Sequence, residues 1–367
     1  MFVLREADPK DEDAILELAK HLNTLNLPPE RKVVRRLLAR SHDSFAGTPD
    51  FDPRRQFLFV LQDPAGRVVG TSMIHAQHGS YEEPHVFFRV IKEERYAQLP
   101  RNDAHEIRDV HKVHTMLHLG RTYNGPTELG GLVLDPSLRG HPQKLGRLLS
   151  LSRFVFIASH RSWFRERLLA ELLPPLYKGP SGATRSPLWD ALGSRFTGLD
   201  YEDADRLSMR DKEFIWRLFP VLPIHTSLLP EGVQDIIGQV GPATRGAERM
   251  LKRIGFVDSG HVDPFDGGPH LEAGTDQVTI VRDTQICRPV IGDPGPDSLS
   301  GIVASVSPEP PLFRTVWAQV AITPPTDPAS GERPTIVGSR ELFTSLGVLG
   351  ENEDQPSAAA RVFAVNY

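Results

Sequence analysis

VLDPSLRGHPQKLGRLLSLSRF, residues 133–154, begins as an apolar strand and ends as a long apolar helix, with a glycine, a proline and several cations between them. A helix start leaves backbone N–H groups without intrahelical partners and carries partial positive charge, so it is a natural seat for an anion. Arg139, Lys144, Gly146 and Arg147 are the candidate residues for holding one. Lys144 and Arg147 add charge beside exposed N–H groups, although strand–glycine–helix turns are common without an anion.

Outward from this stretch the chain alternates strands and helices. Upstream, FVLREA (residues 2–7) reads as a first strand, and Asp8 caps a helix with Pro9 in its first turn. Ile15, Leu18, Ala19 and Leu22 form that helix's apolar stripe. A second helix is expected near residues 28–40, with Val33, Val34, Leu37 and Leu38 inward and Arg31, Lys32, Arg35 and Arg36 solvated. QFLFVLQD, PAGR and VVGTSMIHAQ read as a hairpin, and TELGGLVLDP as the most apolar strand. Downstream, RLLAELLPP reads as a strand or short helix, and SPLWDALGSRF as a helix capped by Ser186. A further helix and strand end at residue 260.

The histidines His75, His78, His85, His105, His111, His114 and His118 read as scattered. His111, His114 and His118 have a spacing that could place imidazoles on one helix face, but no supporting ligand is legible nearby, and no metal site is read.

Bulk composition narrows the class. With 39% hydrophobic and 24% charged residues in 367, the chain reads as an ordinary soluble globular protein. The net charge of -5 offers no general basic field for nucleic acid. No apolar run approaches a membrane span, and the acidic start reads as strand and helix rather than as a signal peptide. Cys287 is the single cysteine, which excludes intramolecular disulfides and cysteine-based zinc clusters. A cytoplasmic location is expected. Ten of the 32 prolines lie between 289 and 334, among short β-rich runs, so residues 285–367 are expected to form a small, irregular, β-rich appendage. Residues 1–284 would form the main domain, with a helical insertion around 160–235.

The order strand, two helices, three strands, helix, strand, then a late helix and strand resembles the GNAT superfamily of acyl-CoA N-acyltransferases. That resemblance implies an α/β (α+β) fold, a mixed central sheet flanked by helices, and an anion that is the pyrophosphate of coenzyme A. The loop RGHPQKLGR departs from the superfamily's usual spacing, while Ala247, Gly255 and Phe256 fit its closing element. Leu251 stands where many members carry the tyrosine that protonates the leaving thiolate.

Six blocks between residues 127 and 272 carry a closer resemblance, to the arginine N-succinyltransferase family: TELGGLVLDP, LLSLSRF, SPLWDALGSRF, DIIGQV, GAERMLKRIGF and PFDGGPHLE. The resemblance implies transfer of a succinyl group from succinyl-CoA to the α-amine of arginine, with no tightly bound cofactor. It also implies a main-chain contact to succinyl-CoA at Leu132. The family's proton donor is a histidine directly before the proline of the segment here written GQVGP, where this chain has Gly241. His225, the nearest histidine in sequence, is the candidate acid in its place, with His270 a further possibility.

Glu128, on the strand that carries the base in many superfamily members, is the candidate base; a strand-end carboxylate facing water or an ion pair is the alternative reading. A guanidinium pairs well with carboxylates, which selects Asp263 and Asp266, although an ordinary Asp/Gly turn would look the same. Arg153 or Arg195 could receive the second carboxylate of succinate.

The expected partners are small molecules, an acyl-CoA and a basic amino acid, with a homo-oligomer or a related second chain possible and neither nucleic acid nor membrane involved. Two rival expectations stand beside the enzyme: a non-catalytic partner subunit, and an N-acyltransferase with another acyl donor or amine.

Overall fold

The computed structural model describes residues 1–21, 27–100, 107–180, 182–211, 213–327, 331–350 and 353–367. Leu22 and His105, named above, lie outside them. In chain order the first elements are β1 (Val3–Glu6), α1 (Glu12–Ala19), α2 (Arg31–Phe45), β2 (Gln56–Gln62), β3 (Val68–His75), β4 (His85–Pro100), β5 (Ile107–Thr122), β6 (Thr127–Leu134) and α3 (Leu145–Ser159). There follow β7 (Arg167–Glu171), β8 (Tyr177–Lys178), β9 (Thr184–Arg185), α4 (Ser194–Thr197), α5 (Tyr201–Ser208), α6 (Glu213–Leu218) and β10 (Ile224–His225). Next come α7 (Glu231–Gln234), α8 (Arg245–Arg253), β11 (Val257–Val262), β12 (Pro269–Gly274) and α9 (Thr279–Asp283). The last are β13 (Gln285–Ile291), β14 (Leu299–Val306), β15 (Phe313–Thr323), β16 (Thr335–Gly338), α10 (Arg340–Ser345) and β17 (Arg361–Asn366). No helix among the described residues is long and apolar enough to cross a membrane.

The chain divides into two compact units, the first holding residues 1–77, 126–168 and 274–367, the second 78–125 and 169–273. In the first unit the strands run β6-β3-β2-β1-β15-β14-β17-β13-β16. The local chemistry explains its start. Asp8 accepts the Lys10 N–H while Asp11 accepts the Asp8 N–H, a reciprocal cap that fixes the entry to α1. Asp11 also receives both terminal nitrogens of Arg5 at 2.8 and 2.9 Å, in the interior. On α2, Val34 and Leu38 are buried, while Arg31 and Arg35 reach back to Glu12 on α1, so the basic cluster is a solvated face.

The boundary expected near residue 284 is not where the chain divides. β15 pairs antiparallel with β1 on one edge and with β14 and β16 on others, and β14, β17, β13 and β16 complete a closed ring of five strands. Cys287, Val303, Val316, Ile336, Phe343 and Val362 fill its core. Proline density marks the connections of this small barrel; among the described residues of this region only Pro289 lies inside a strand, β13, where it opposes Ile336.

In the second unit the order is β10-β5-β4-β11-β12-β7. β4 and β5 pair along their whole length, from His85 opposite Thr122 to Pro100 opposite Ile107. His111, His114 and His118 therefore lie on a strand, not on one helix face, and strand alternation puts His111 on the face opposite the other two. The Ser186 hydroxyl accepts the Trp189 N–H at 3.1 Å, as a cap should. Trp189 then stacks on Phe265 at 5.0 Å in a core shared with Phe88, Phe214 and Phe219.

Candidate active site

Two groups of candidate residues stand out, one in each unit. In the first unit, β6 meets β3 with a register shift: Thr71 opposes Val133, yet Met73 opposes Gly130, so β6 holds one extra residue at Gly131–Leu132. Gly131 has φ +56°, and its carbonyl accepts the Thr71 hydroxyl at 2.9 Å. Such a bulge takes main-chain groups out of the ladder and re-aims them. Leu132, the residue expected to use its backbone, sits on it.

Beyond β6 the chain turns through a short 3-10 segment capped by Asp135, passes Gly140 at φ +78°, and enters α3 through Lys144. Lys144 is left-handed, at φ 52° and ψ 49°, and its carbonyl accepts the N–H groups of Arg147 and Leu148. The N–H groups of Leu145 and Gly146 therefore head the helix without an intrahelical acceptor. A Cβ on Gly140 or Gly146 would meet no heavy atom within 4 Å. Arg139 and Lys144 are exposed and Arg147 is half-buried, and no ion pair holds any of the three among the described residues. The turn is open and cationic, and its free helix-start N–H groups are those of Leu145 and Gly146, most of the others nearby being used within the turn.

Glu128, the second residue of β6 and opposite His75 in the register, is 3% exposed, so it does not face water. Arg153 is buried too, its guanidinium spent on the carbonyls of Ser150 and Gly130 and on the Ser150 hydroxyl. Burial pulls it down to about 9. Arg195 is exposed on α4.

In the second unit, residues distant in sequence converge on Glu171 at the end of β7. Its Oε1 lies 3.2 Å from His85 Nε2, 3.4 Å from His270 Nε2 and 3.7 Å from His78 Nε2. Burial pushes the Glu171 carboxyl up, but His270, His85 and His78 outweigh it and hold the group well below the usual carboxylate range. His85 is driven down to about 3, first by burial and then by its neighbour His78, so its ring is neutral near pH 7.

Asp263 and Asp266 lie in the turn from β11 to β12. Asp263 Oδ1 accepts the N–H groups of Phe265 and Asp266, and Asp266 Oδ1 accepts that of Gly268, so part of their role is the turn itself. Burial, then the charge of Glu171, raises Asp263 to about 7; burial and Asp263 raise Asp266 well above its ordinary value.

His225 is not brought to this group. It is exposed on the outermost strand β10, its ring 5.9 Å from that of His114, with β5, β4 and β11 between it and β12. Sequence reasoning read His78 and His85 as scattered and passed over Glu171. The one available signal was a lone acid in the apolar run RLLAELLPP.

The family model described as "Arginine N-succinyltransferase beta subunit" matches residues 2–280. The chain belongs to the arginine N-succinyltransferase family. It is 34% identical over 300 residues to the arginine N-succinyltransferase subunit beta of Pseudomonas aeruginosa, covering 81% of this chain and 83% of that one. It is 35% identical over 298 residues to the arginine N-succinyltransferase of Yersinia pestis, covering 80% of each. Among solved structures, arginine/ornithine succinyltransferase subunit AI from Pseudomonas aeruginosa is similar with a TM-score of 0.76 and 26% identity, over 100% of this chain and 98% of that one.

Within this arginine N-succinyltransferase family member, the position expected to hold the donor histidine is closed. Gly241 N–H donates to the Leu173 carbonyl at 2.8 Å, and a Cβ on Gly241 would stand 2.6 Å from the Pro174 carbonyl oxygen. Leu251 is buried in α8 and offers no proton.

Proposed function

We propose that the chain is a GNAT-type N-acyltransferase that moves a succinyl group from succinyl-CoA to the α-amine of arginine. The observation that carries this reading is the open cationic turn at the head of α3, following directly on the bulge at Leu132. An anion-binding helix start beside re-aimed strand backbone suits a diphosphate and a thioester carbonyl on one ligand. In the reaction the amine nitrogen attacks that carbonyl, the carbon–sulfur bond breaks, and the amine's proton is lost to a base.

Arg139, Lys144, Gly146 and Arg147 would hold the diphosphate, and Leu132 would touch the acyl end through its main chain. Glu128 is the base; a free α-amino group has a pKa of roughly 8, so a modest base suffices. The thiolate, with a thiol pKa of roughly 8.5, is a tolerable leaving group without a dedicated acid. His225, exposed on an outer strand, has little to support it as that acid. Asp263 and Asp266 are the acids offered to the guanidinium, whose charge would favour the ionised form that burial disfavours, each with one oxygen left after the turn's own hydrogen bonds.

Succinyl-CoA is a co-substrate here and no resident cofactor is invoked. A cytoplasmic setting fits such metabolites, and relatives named as subunits favour an oligomer. Incubating the purified chain with succinyl-CoA and following thiol release tests the reading. Release that depends on added arginine supports it; none at any pH, from folded protein, removes it.

Gly241 favours a second reading, a non-catalytic partner of a related chain. It expects no release from the chain alone and co-purification with a relative whose activity it raises.

A further inference from the structure

We infer that His78, His85 and Glu171 form a binding site for one divalent metal ion of the zinc class. The site goes beyond the acyl-transfer reading and does not depend on it. One ring nitrogen from each histidine and one carboxylate oxygen lie within 4.8 Å of one another, and both histidine Nε2 atoms face Glu171 Oε1. Zinc binds imidazole and carboxylate at about 2.0–2.2 Å, so a tetrahedral set has ligand-to-ligand edges of roughly 3.3–3.5 Å. The two Glu171–histidine edges, 3.2 and 3.7 Å, bracket that value, and the rings of His78 and His85 meet edge to face at 4.2 Å.

Crowding on Glu171 argues in the same direction. One carboxylate oxygen has about two lone-pair positions, yet three imidazole nitrogens converge on Oε1, His270 being the third. A cation at the focus would turn this crowd into a ligand set, with His270 behind it to orient the carboxylate.

Strands hold two of the three ligands, His78 lies in the connection between β3 and β4, and the group has an entrance. His85 opens β4, Glu171 ends β7, and His270 lies in β12. His85 and His270 are 6% and 0% exposed, whereas Glu171 is 29% exposed and gives solvent a way in. Two imidazoles and a carboxylate suit zinc, cobalt or nickel rather than magnesium or calcium, which prefer all-oxygen shells. A set of three protein ligands leaves a position open to water.

The test uses the full chain, stripped with a chelator and titrated with cobalt(II), then back-titrated with zinc. The expected result is a visible absorption band that saturates at one cobalt per chain and is displaced by zinc, with a thermal midpoint raised by several degrees. His78→Gln and Glu171→Gln should each weaken cobalt binding at least tenfold, while their metal-free far-UV circular dichroism stays that of the parent. His270→Gln should keep the stoichiometry of one. No band at millimolar cobalt, or a band that survives both ligand substitutions unchanged, overturns the site.

Discussion

A Cβ placed on Gly241 would stand 2.6 Å from the carbonyl oxygen of Pro174 and 3.0 Å from its carbonyl carbon. The neighbour is backbone, not a flexible side-chain end, so it cannot swing away. Gly241→His is therefore expected to lower stability without raising acyl transfer. Gly241→Ala, the smallest probe, should cost about 1–3 kcal/mol, the range for overpacking. Thermal unfolding and thiol release measured together decide it: a histidine variant as stable as its parent and more active would refute the packing argument.

Lys144 gives a sharper handle on the turn. A left-handed non-glycine residue costs roughly 1–2 kcal/mol, and Lys144 has φ 52°. Lys144→Gly removes both the strain and the charge. The expected outcome is an unchanged or higher melting temperature with a several-fold higher KM for succinyl-CoA, and a weaker dependence of KM on salt. An unaltered KM would mean that the turn does not meet the diphosphate.

Glu128→Gln keeps the shape of the side chain and removes its basicity. If Glu128 accepts the amine's proton, kcat should fall by about 10²–10⁴ and the acid limb of the pH–rate profile should disappear. A kcat within a few-fold of the parent, beside a lower melting temperature, would return Glu128 to a purely structural place in β6.

His160 sets a pH dependence of stability. Burial lowers it from 6.5 to about 4, against the opposing pull of the Phe156 carbonyl. Its ring packs against those of Phe156 and Trp163, at 4.5 and 4.4 Å. Because the folded value lies below the unfolded one, the unfolded chain takes the proton first. The contribution of the neutral ring is complete above pH 6.5 and is lost as pH falls toward 4. The stability gap between parent and His160→Gln should therefore narrow over that interval in urea titrations; a constant gap would exclude the assignment.

Much of the architecture was legible because its elements are periodic or punctuated. The Asp8 cap, the hairpin around PAGR and the strand-to-helix run at 133–154 each announce themselves within one short contiguous stretch. Local pattern failed where pairing decides. His111, His114 and His118 fit helical spacing by coincidence, and only pairing with β4 makes them a strand. The extra residue at Gly131 is visible only in register with β3. The Glu171 group joins four stretches of chain between residues 78 and 270, a convergence that spacing cannot encode. Proline counting marked the joints of the C-terminal barrel but not the closure of its strands.

The seam between β1 and β15 bears on any attempt to shorten this protein. Leu4 and Arg5 are laced to Thr315 and Arg314, and the Glu6 carboxylate receives the N–H groups of Leu312 and Phe313 at 2.5 and 2.7 Å. The portion recognised by the family model stops at residue 280. Trimming the gene to that portion would strip one flank of the N-terminal strand and leave a raw, adhesive edge. Such a fragment should be recovered as aggregates, however well its remaining residues match the family.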